Sequence, residues 1–198
     1  MTLPTLVSLA DAAPQSWRNG GGRTRELLRW PLELHDDGAW SLRISVADIE
    51  ADGPFSAYPG VERWFAVIEG AGVVLCFADG DRAVRAGAAP LHFDGGDAPG
   101  CMLVDGPTRD LNLMARGGAG RMQAVVPGVE WVAPLAVRAL YTAVAGVWRA
   151  EHRRLDLPAG TLLWSDAAGD AAWQFDPADA GTAMHAWWLG FEPRGSAR

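Results

Sequence analysis

The 198-residue chain predicts an all-β protein in two halves. Short apolar runs recur along its whole length, each bounded by Gly, Pro or Asp-Gly turn signals. No segment sustains the 3.6-residue apolar period of a long amphipathic helix. The glycine-rich, polar stretch Arg116-Gly117-Gly118-Ala119-Gly120-Arg121 separates two strand-rich regions, which sets expected domains at 1–118 and 119–198. Hydrophobic residues at 49% and ten tryptophans are ample for a packed core in such a chain.

Taken in order, Thr5 to Leu9 reads as an edge strand. Trp17-Arg18-Asn19-Gly20-Gly21-Gly22-Arg23-Thr24-Arg25-Glu26 then reads as a glycine loop entering a strand. Three glycines let a backbone approach a ligand closely, or serve as a flexible connector. No G-x-G-x-x-G follows, so this is not a nucleotide loop. After the turn His35-Asp36-Asp37-Gly38, Trp40, Leu42 and Ile44 alternate with Ser41, Arg43 and Ser45, a strand with one polar face. Gly53-Pro54 and Pro59-Gly60 are turn signals. Trp64 to Ile68 has the β-branched and aromatic character of a buried strand, and pairs with Val73 to Phe77 across Gly70-Ala71-Gly72. Short strands are expected at 83–85, 90–93 and 101–104. In Asp110-Leu111-Asn112-Leu113-Met114 the acid and amide share one face, turned to solvent or to a barrel lumen. Further strands are expected at 122–126, 140–148, 153–157, 161–164, 171–175 and 183–191.

Net charge is −7, which argues against nucleic acid or an anionic membrane as partner. All seventeen basic residues are arginine, so each is weaker evidence for guanidinium chemistry than usual. The lack of lysine excludes Schiff-base catalysis and a Walker-type phosphate site. Cys76 and Cys101 make neither a disulfide framework nor a zinc cluster, and read as small buried residues in a reducing compartment. No apolar run reaches membrane-span length and Met1-Thr2-Leu3-Pro4 lacks signal-peptide character, so a cytoplasmic protein is expected. A homodimer is compatible with the sequence.

The spacing from Ser56 to Gly70 resembles the first motif of the cupin superfamily, small RmlC-like jelly-roll barrels that hold a metal with His-x-His, four residues, Glu, six residues, Gly. Ser56 and Tyr58 stand where the histidines would be, and Arg63 stands where the glutamate would be. A divalent metal wants imidazoles and carboxylates, so neither metal nor other cofactor is expected. A fixed cation beside two hydroxyls suits an oxyanion instead. The plainer alternative is that Arg63 pairs with Glu62 or another surface acid. Leu157-Pro158-Ala159-Gly160-Thr161-Leu162-Leu163 resembles the second cupin motif, with Leu163 in place of its histidine. The expected architecture is therefore two fused cupin-like barrels, a bicupin. Its second barrel should be plugged by Leu163, Trp148 and Trp173.

The phrases Trp17 to Glu26, Trp40 to Ser45, Gly53-Pro54-Phe55-Ser56 with Pro59 to Arg63, and Asp110 to Arg116 together resemble the HutD/Ves family. The resemblance implies a bicupin fold, no demonstrated catalysis, and association with bacterial histidine-utilisation operons in a controlling role. Histidine breakdown passes through urocanate, formiminoglutamate and formylglutamate, all carboxylates. The expected function is thus non-catalytic binding of a small carboxylate metabolite by Arg63, with Ser56, Asn19 and the backbone N–H groups of Gly20, Gly21 and Gly22. Phe55 and Trp17 would shield it, and Thr24 and Asn112 are further candidates.

The alternative is a metal-independent isomerase or hydrolase. Glu26 and Asp110 would then act as acid and base, or else simply balance Arg63 and Arg43. His35, His92, His152 and His185 have no metal-ligand partner at short spacing, and no G-x-S-x-G elbow exists. A protein-interaction role is a third reading, to be judged by exposed tryptophans.

Overall fold

The structure, a computed structural model, describes residues 3–32, 40–167, 169, 171–179 and 185–195. Among them are eighteen strands, one short 3-10 turn at Gly95–Asp97 and no α-helix. Four antiparallel sheets carry the chain. A six-stranded sheet runs β2 (Pro14–Ser16), β3 (Gly22–Trp30), β4 (Leu42–Ile49), β11 (Thr108–Arg116), β6 (Val61–Glu69) and β9 (Leu91–Asp94). On one side of it lies a four-stranded sheet of β5 (Gly53–Pro54), β10 (Gly100–Leu103), β7 (Val73–Phe77) and β8 (Gly80–Val84). On its other side lies a five-stranded sheet of β1 (Thr5–Ser8), β16 (Thr161–Ser165), β13 (Val137–Thr142), β18 (Ala186–Pro193) and β12 (Gly118–Ala124). A three-stranded sheet of β15 (Arg153–Leu157), β14 (Gly146–Ala150) and β17 (Gln174–Pro177) covers the far face of that one.

Period-two alternation explains the layering. Leu42, Ile44 and Val46 of β4 and Leu111, Leu113 and Ala115 of β11 point one way, and meet Tyr141, Leu162, Trp187, Leu189 and Phe191 of the five-stranded sheet. The intervening residues Arg43, Ser45 and Ala47, with Asn112 and Met114, point the other way, toward the four-stranded side. There Ile49, Phe65, Val67, Leu75, Phe93 and Cys101 form a smaller core. The third core holds Leu140, Trp148, Leu163, Trp173, Phe175 and Trp188, so the apolar side chains expected to fill the second half are packed together.

Three expectations about elements change. The glycine-rich stretch at 116–121 is no loop: Gly117 alone turns, at φ 68, and β12 begins at Gly118. The glycines serve close packing, because a Cβ on Gly120 would sit 2.6 Å from Leu113 Cδ2 and 2.9 Å from the Ala115 Cβ. The run at 140–148 is two strands in different sheets, since the Thr142 hydroxyl donates to the Val144 carbonyl and accepts from its N–H, closing a turn between β13 and β14. The opening strand β1 is an edge, as expected, but it pairs with β16 and so joins the sheet of the C-terminal half. The turn expected at 35–38 lies outside the described residues.

Candidate functional site

Register assembles the site. Arg43, Met114 and Arg63 face one another across β4, β11 and β6, and Ser45, Asn112 and Phe65 form the next row. On β3, Glu26 lies opposite Ser45, and Thr24 opposite Ala47. These rows floor a cavity of about 680 Å³. Its walls come from two segments flanking strands: Gln15 to Asn19 on one side, and Pro54, Phe55, Ser56 and Tyr58 on the other. The cavity lies wholly within residues 15–114. Among the described residues, a second crevice of about 30 Å³ lies beside Trp148 and Trp173, with Pro4 on its rim.

Arg63 is the centre of the chemistry. Its side chain enters the cavity wall with only 7% exposure. One guanidinium nitrogen, Nη2, donates to Asn112 Oδ1 at 2.9 Å. The guanidinium carbon lies 4.7 Å from the Phe55 ring centroid and 5.2 Å from that of Phe93. Its Nε is buried with no protein partner, and among the described residues it forms no ion pair. The plainer reading, in which Arg63 pairs with Glu62, does not hold: Glu62 lies near His92 and accepts from the Gly120 N–H. Burial pushes the Arg63 guanidinium down to about 10, against a small opposing pull from the Tyr58 oxygen, with Arg43 adding to the depression. At neutral pH it is still a cation.

Arg43 supplies a second guanidinium. Its Nε donates to Glu26 Oε2 at 2.7 Å, and Glu26 also accepts two bonds from Arg29. Burial alone would raise the Glu26 carboxyl, but the two guanidiniums outweigh it and hold it below the ordinary range. Glu26 therefore balances Arg43. Asp110 does neither job proposed for it: it does not line the cavity, is fully buried, and accepts from the Thr108 hydroxyl at 2.9 Å.

Of the residues singled out in the sequence, Arg63, Ser56, Asn19, Phe55, Trp17, Thr24 and Asn112 all line this cavity. Gly20, Gly21 and Gly22 do not, which corrects their expected place. The Gly20 N–H donates to the Trp17 carbonyl at 3.0 Å and the Gly21 N–H to Asn19 Oδ1 at 3.0 Å, while the Gly22 carbonyl accepts from the Trp17 N–H at 2.9 Å. These glycines shape the β2–β3 connection, and a Cβ on Gly22 would lie 2.3 Å from the Asp48 carbonyl oxygen. The Trp17 indole N–H is held by Thr24 Oγ1 at 2.8 Å, fixing that ring at the cavity edge. Missing from the earlier set are Arg43 and Ser45, although the polar face of their strand marked them, Met114 and Arg18, which fall inside phrases already singled out, and Gln15, which no pattern marked.

The lining contains no imidazole, carboxylate or thiol among the described residues, and no group of three or more His, Cys, Asp or Glu is placed to hold a metal there or elsewhere among them. Three guanidiniums and five hydroxyls do not fit a divalent cation. No helix of the described residues is long and apolar enough to cross a membrane.

The all-β stack with a polar cavity in one half has the fold of the cupin-fold proteins it matches. An oxalate decarboxylase from Bacillus subtilis shares the fold over 99% of this chain and 79% of its own, at a TM-score of 0.64 and 10% identity. HutD from Pseudomonas fluorescens SBW25, in a formate condition, is nearer: TM-score 0.81 and 24% identity over 97% of this chain and all of that one. The profile of the HutD family matches residues 9–184, and the chain belongs to that family. An uncharacterized 21.2 kDa protein in the hutC 3′ region of Pseudomonas putida is 34% identical over 109 residues, 55% of this chain and 56% of that protein. Protein Ves of Citrobacter koseri is 36% identical over 101 residues, 50% of this chain and 51% of that one. The chain thus spans about half the length of these two curated relatives.

Proposed function

We propose that the protein is a non-catalytic receptor for a small carboxylate metabolite, bound in the Arg63 cavity. One observation carries this reading: a nine-tenths buried guanidinium faces a roomy cavity with no carboxylate to neutralise it. A buried charge left unpaired costs several kcal/mol by order of magnitude, and an anionic ligand would offset that cost. Ser56, Tyr58 and Ser45 would add hydroxyl donors, while Trp17, Phe55 and Phe65 would exclude water. The location of a relative in a hutC region, and the family's name, favour a metabolite of histidine utilisation and a part in its control.

Binding is favoured over catalysis because the lining holds no carboxylate, imidazole or thiol among the described residues to serve as acid or base. Isothermal calorimetry of the intact protein with urocanate, formylglutamate and formate tests the reading. Saturable binding of at least one is the expected result. No binding by any of the three overturns it, and turnover of any of them would favour an enzyme.

A further inference from the structure

Every other arginine of the six-stranded sheet whose side-chain hydrogen bonds are seen among the described residues is matched to an acid. Asp48 accepts from Arg23, Arg25 and Arg109, and Glu26 accepts from Arg29 and Arg43. Arg63 is matched instead to neutral groups, the Asn112 amide oxygen and the rings of Phe55 and Phe93. An amide oxygen and the negative face of an aromatic ring both steady a cation without cancelling its charge.

We propose that Asn112 and Phe93 are positioning residues which hold Arg63 in place while keeping its charge available to an incoming anion. This rests on the reading of the cavity as a carboxylate site. Asn112 sits on β11, one strand over from Arg63 and a step along in register, where its Oδ1 meets Nη2. Aspartate has the same shape as asparagine. A carboxylate there would reach the same nitrogen, form an internal ion pair, and occupy the cation in place of ligand.

Phe93 lies directly across the β6–β9 ladder from Arg63 and does not line the cavity. Its ring is braced edge-on by Phe77, with centroids 5.3 Å apart. Phe55 does line the cavity. Phe93 therefore acts on ligand only through the guanidinium it supports. With Asn112 on Nη2, Nη1 is the guanidinium nitrogen that is neither hydrogen-bonded nor fully buried, and it is left to donate to the occupant.

Calorimetry with formate and urocanate, and urea denaturation, on wild type, Asn112→Asp, Asn112→Leu and Phe93→Leu form the test. Asn112→Asp should weaken binding by at least about tenfold and raise the urea midpoint. Asn112→Leu should bind more tightly than Asn112→Asp yet unfold at lower urea. A residue that merely shaped the cavity or touched the ligand would reverse that order, with the leucine variant the poorer binder, and such a result overturns the proposal. Phe93→Leu should weaken binding about threefold to tenfold, in line with the loss of one exposed-to-buried cation–π contact. Unchanged affinity in Phe93→Leu removes that residue's role. If wild type binds neither anion, the carboxylate reading itself fails. The urea order of the two Asn112 variants still decides in that case whether Arg63 lacks, and would take, a carboxylate partner.

Discussion

Replacing Arg63 by methionine separates what the guanidinium does for ligand from what it does for the fold. Methionine keeps an unbranched apolar stem between Phe55 and Phe93, whereas alanine would leave a void. For binding, the loss is a charge-assisted hydrogen bond, roughly 1.5–3 kcal/mol. Each 1.4 kcal/mol is about tenfold in affinity, so carboxylate binding should weaken by about 10- to 100-fold. For stability, burial pushes the guanidinium down to about 10. At about 1.4 kcal/mol per pH unit, that displacement corresponds to about 3 kcal/mol of native-state cost. Losing the Asn112 hydrogen bond and two cation–π contacts takes away a similar amount, about 2–4 kcal/mol together. Net stability should therefore change little while affinity collapses. Calorimetry with urocanate, formylglutamate and formate, beside urea unfolding, reads both quantities. Arg121→Ala, an exposed position on β12 outside the cavity, is the control. Unchanged affinity in Arg63→Met would refute the site, and a stability loss well above the cancelling amounts would make Arg63 a satisfied structural cation.

Other outcomes follow from the buried acids, the packing and the donor set. Burial raises the Asp110 carboxyl to about 8, so the folded protein holds a proton that the unfolded chain releases near pH 4. Stability should then fall as pH rises from about 4 to 8, and Asp110→Asn should flatten that decline in a pH series of urea midpoints. Asp48 is the opposite case: burial would raise it, but hydrogen bonds from Arg23, Arg109 and Arg25 outweigh burial and bring it to about 2. Its contribution, about 2 kcal/mol, should be intact above pH 4 and be lost as pH falls toward 2, with Asp48→Asn already lacking it at neutral pH. Gly120→Val should destabilise by roughly 1–3 kcal/mol through overpacking against Leu113 and Ala115, measured as a fall in urea midpoint. Elemental analysis of purified protein should find no stoichiometric transition metal; one metal per chain that is lost in Arg63→Met would contradict the expectation that Ser56, Tyr58 and Arg63 hold none.

Much of the site was legible because strands and turns have short rules. Alternation put Arg43 and Ser45 on one face and Asp110 with Asn112 on one face, and both faces are buried on the cavity side of the six-stranded sheet. The spacing of Ser56, Tyr58 and Arg63 from Gly70 brought three cavity-lining side chains together. What alternation does not carry is the partner of a side chain. Whether Asp110 or Glu26 balanced an arginine depended on cross-strand register, shifted by bulges at Arg109/Asp110 and at Glu26/Leu28. Glycine was the other ambiguity. Gly20 to Gly22 and Gly117 to Gly120 look alike in sequence, yet the first group shapes a connection and the second lies mostly in a strand pressed against leucine and alanine. Composition cannot separate a glycine needed for its backbone angle from one needed for the absence of a Cβ.

Cupin-like spacing without the cupin ligands has a physical reason. Gly70 has φ 95, and a Cβ there would lie 2.6 Å from the Pro107 carbonyl oxygen, so its place is fixed by the β6–β7 turn rather than by any bound group. Gly60, at φ 74, turns the chain into β6, and Gly95 lets the 3-10 turn pack against the Tyr58 and Val61 carbonyls. Those constraints hold positions 56, 58 and 63 at the cavity whatever side chains they carry. The side chains are then free to set the sign of the field inside. Imidazoles and a glutamate there would suit a cation, whereas an arginine with two hydroxyls would suit the anion proposed above. Because the arginine is held by an amide and two rings, its charge is not cancelled from within. In a protein of net charge −7, the proposed anion would then meet at Arg63 a cation that no acid among the described residues pairs.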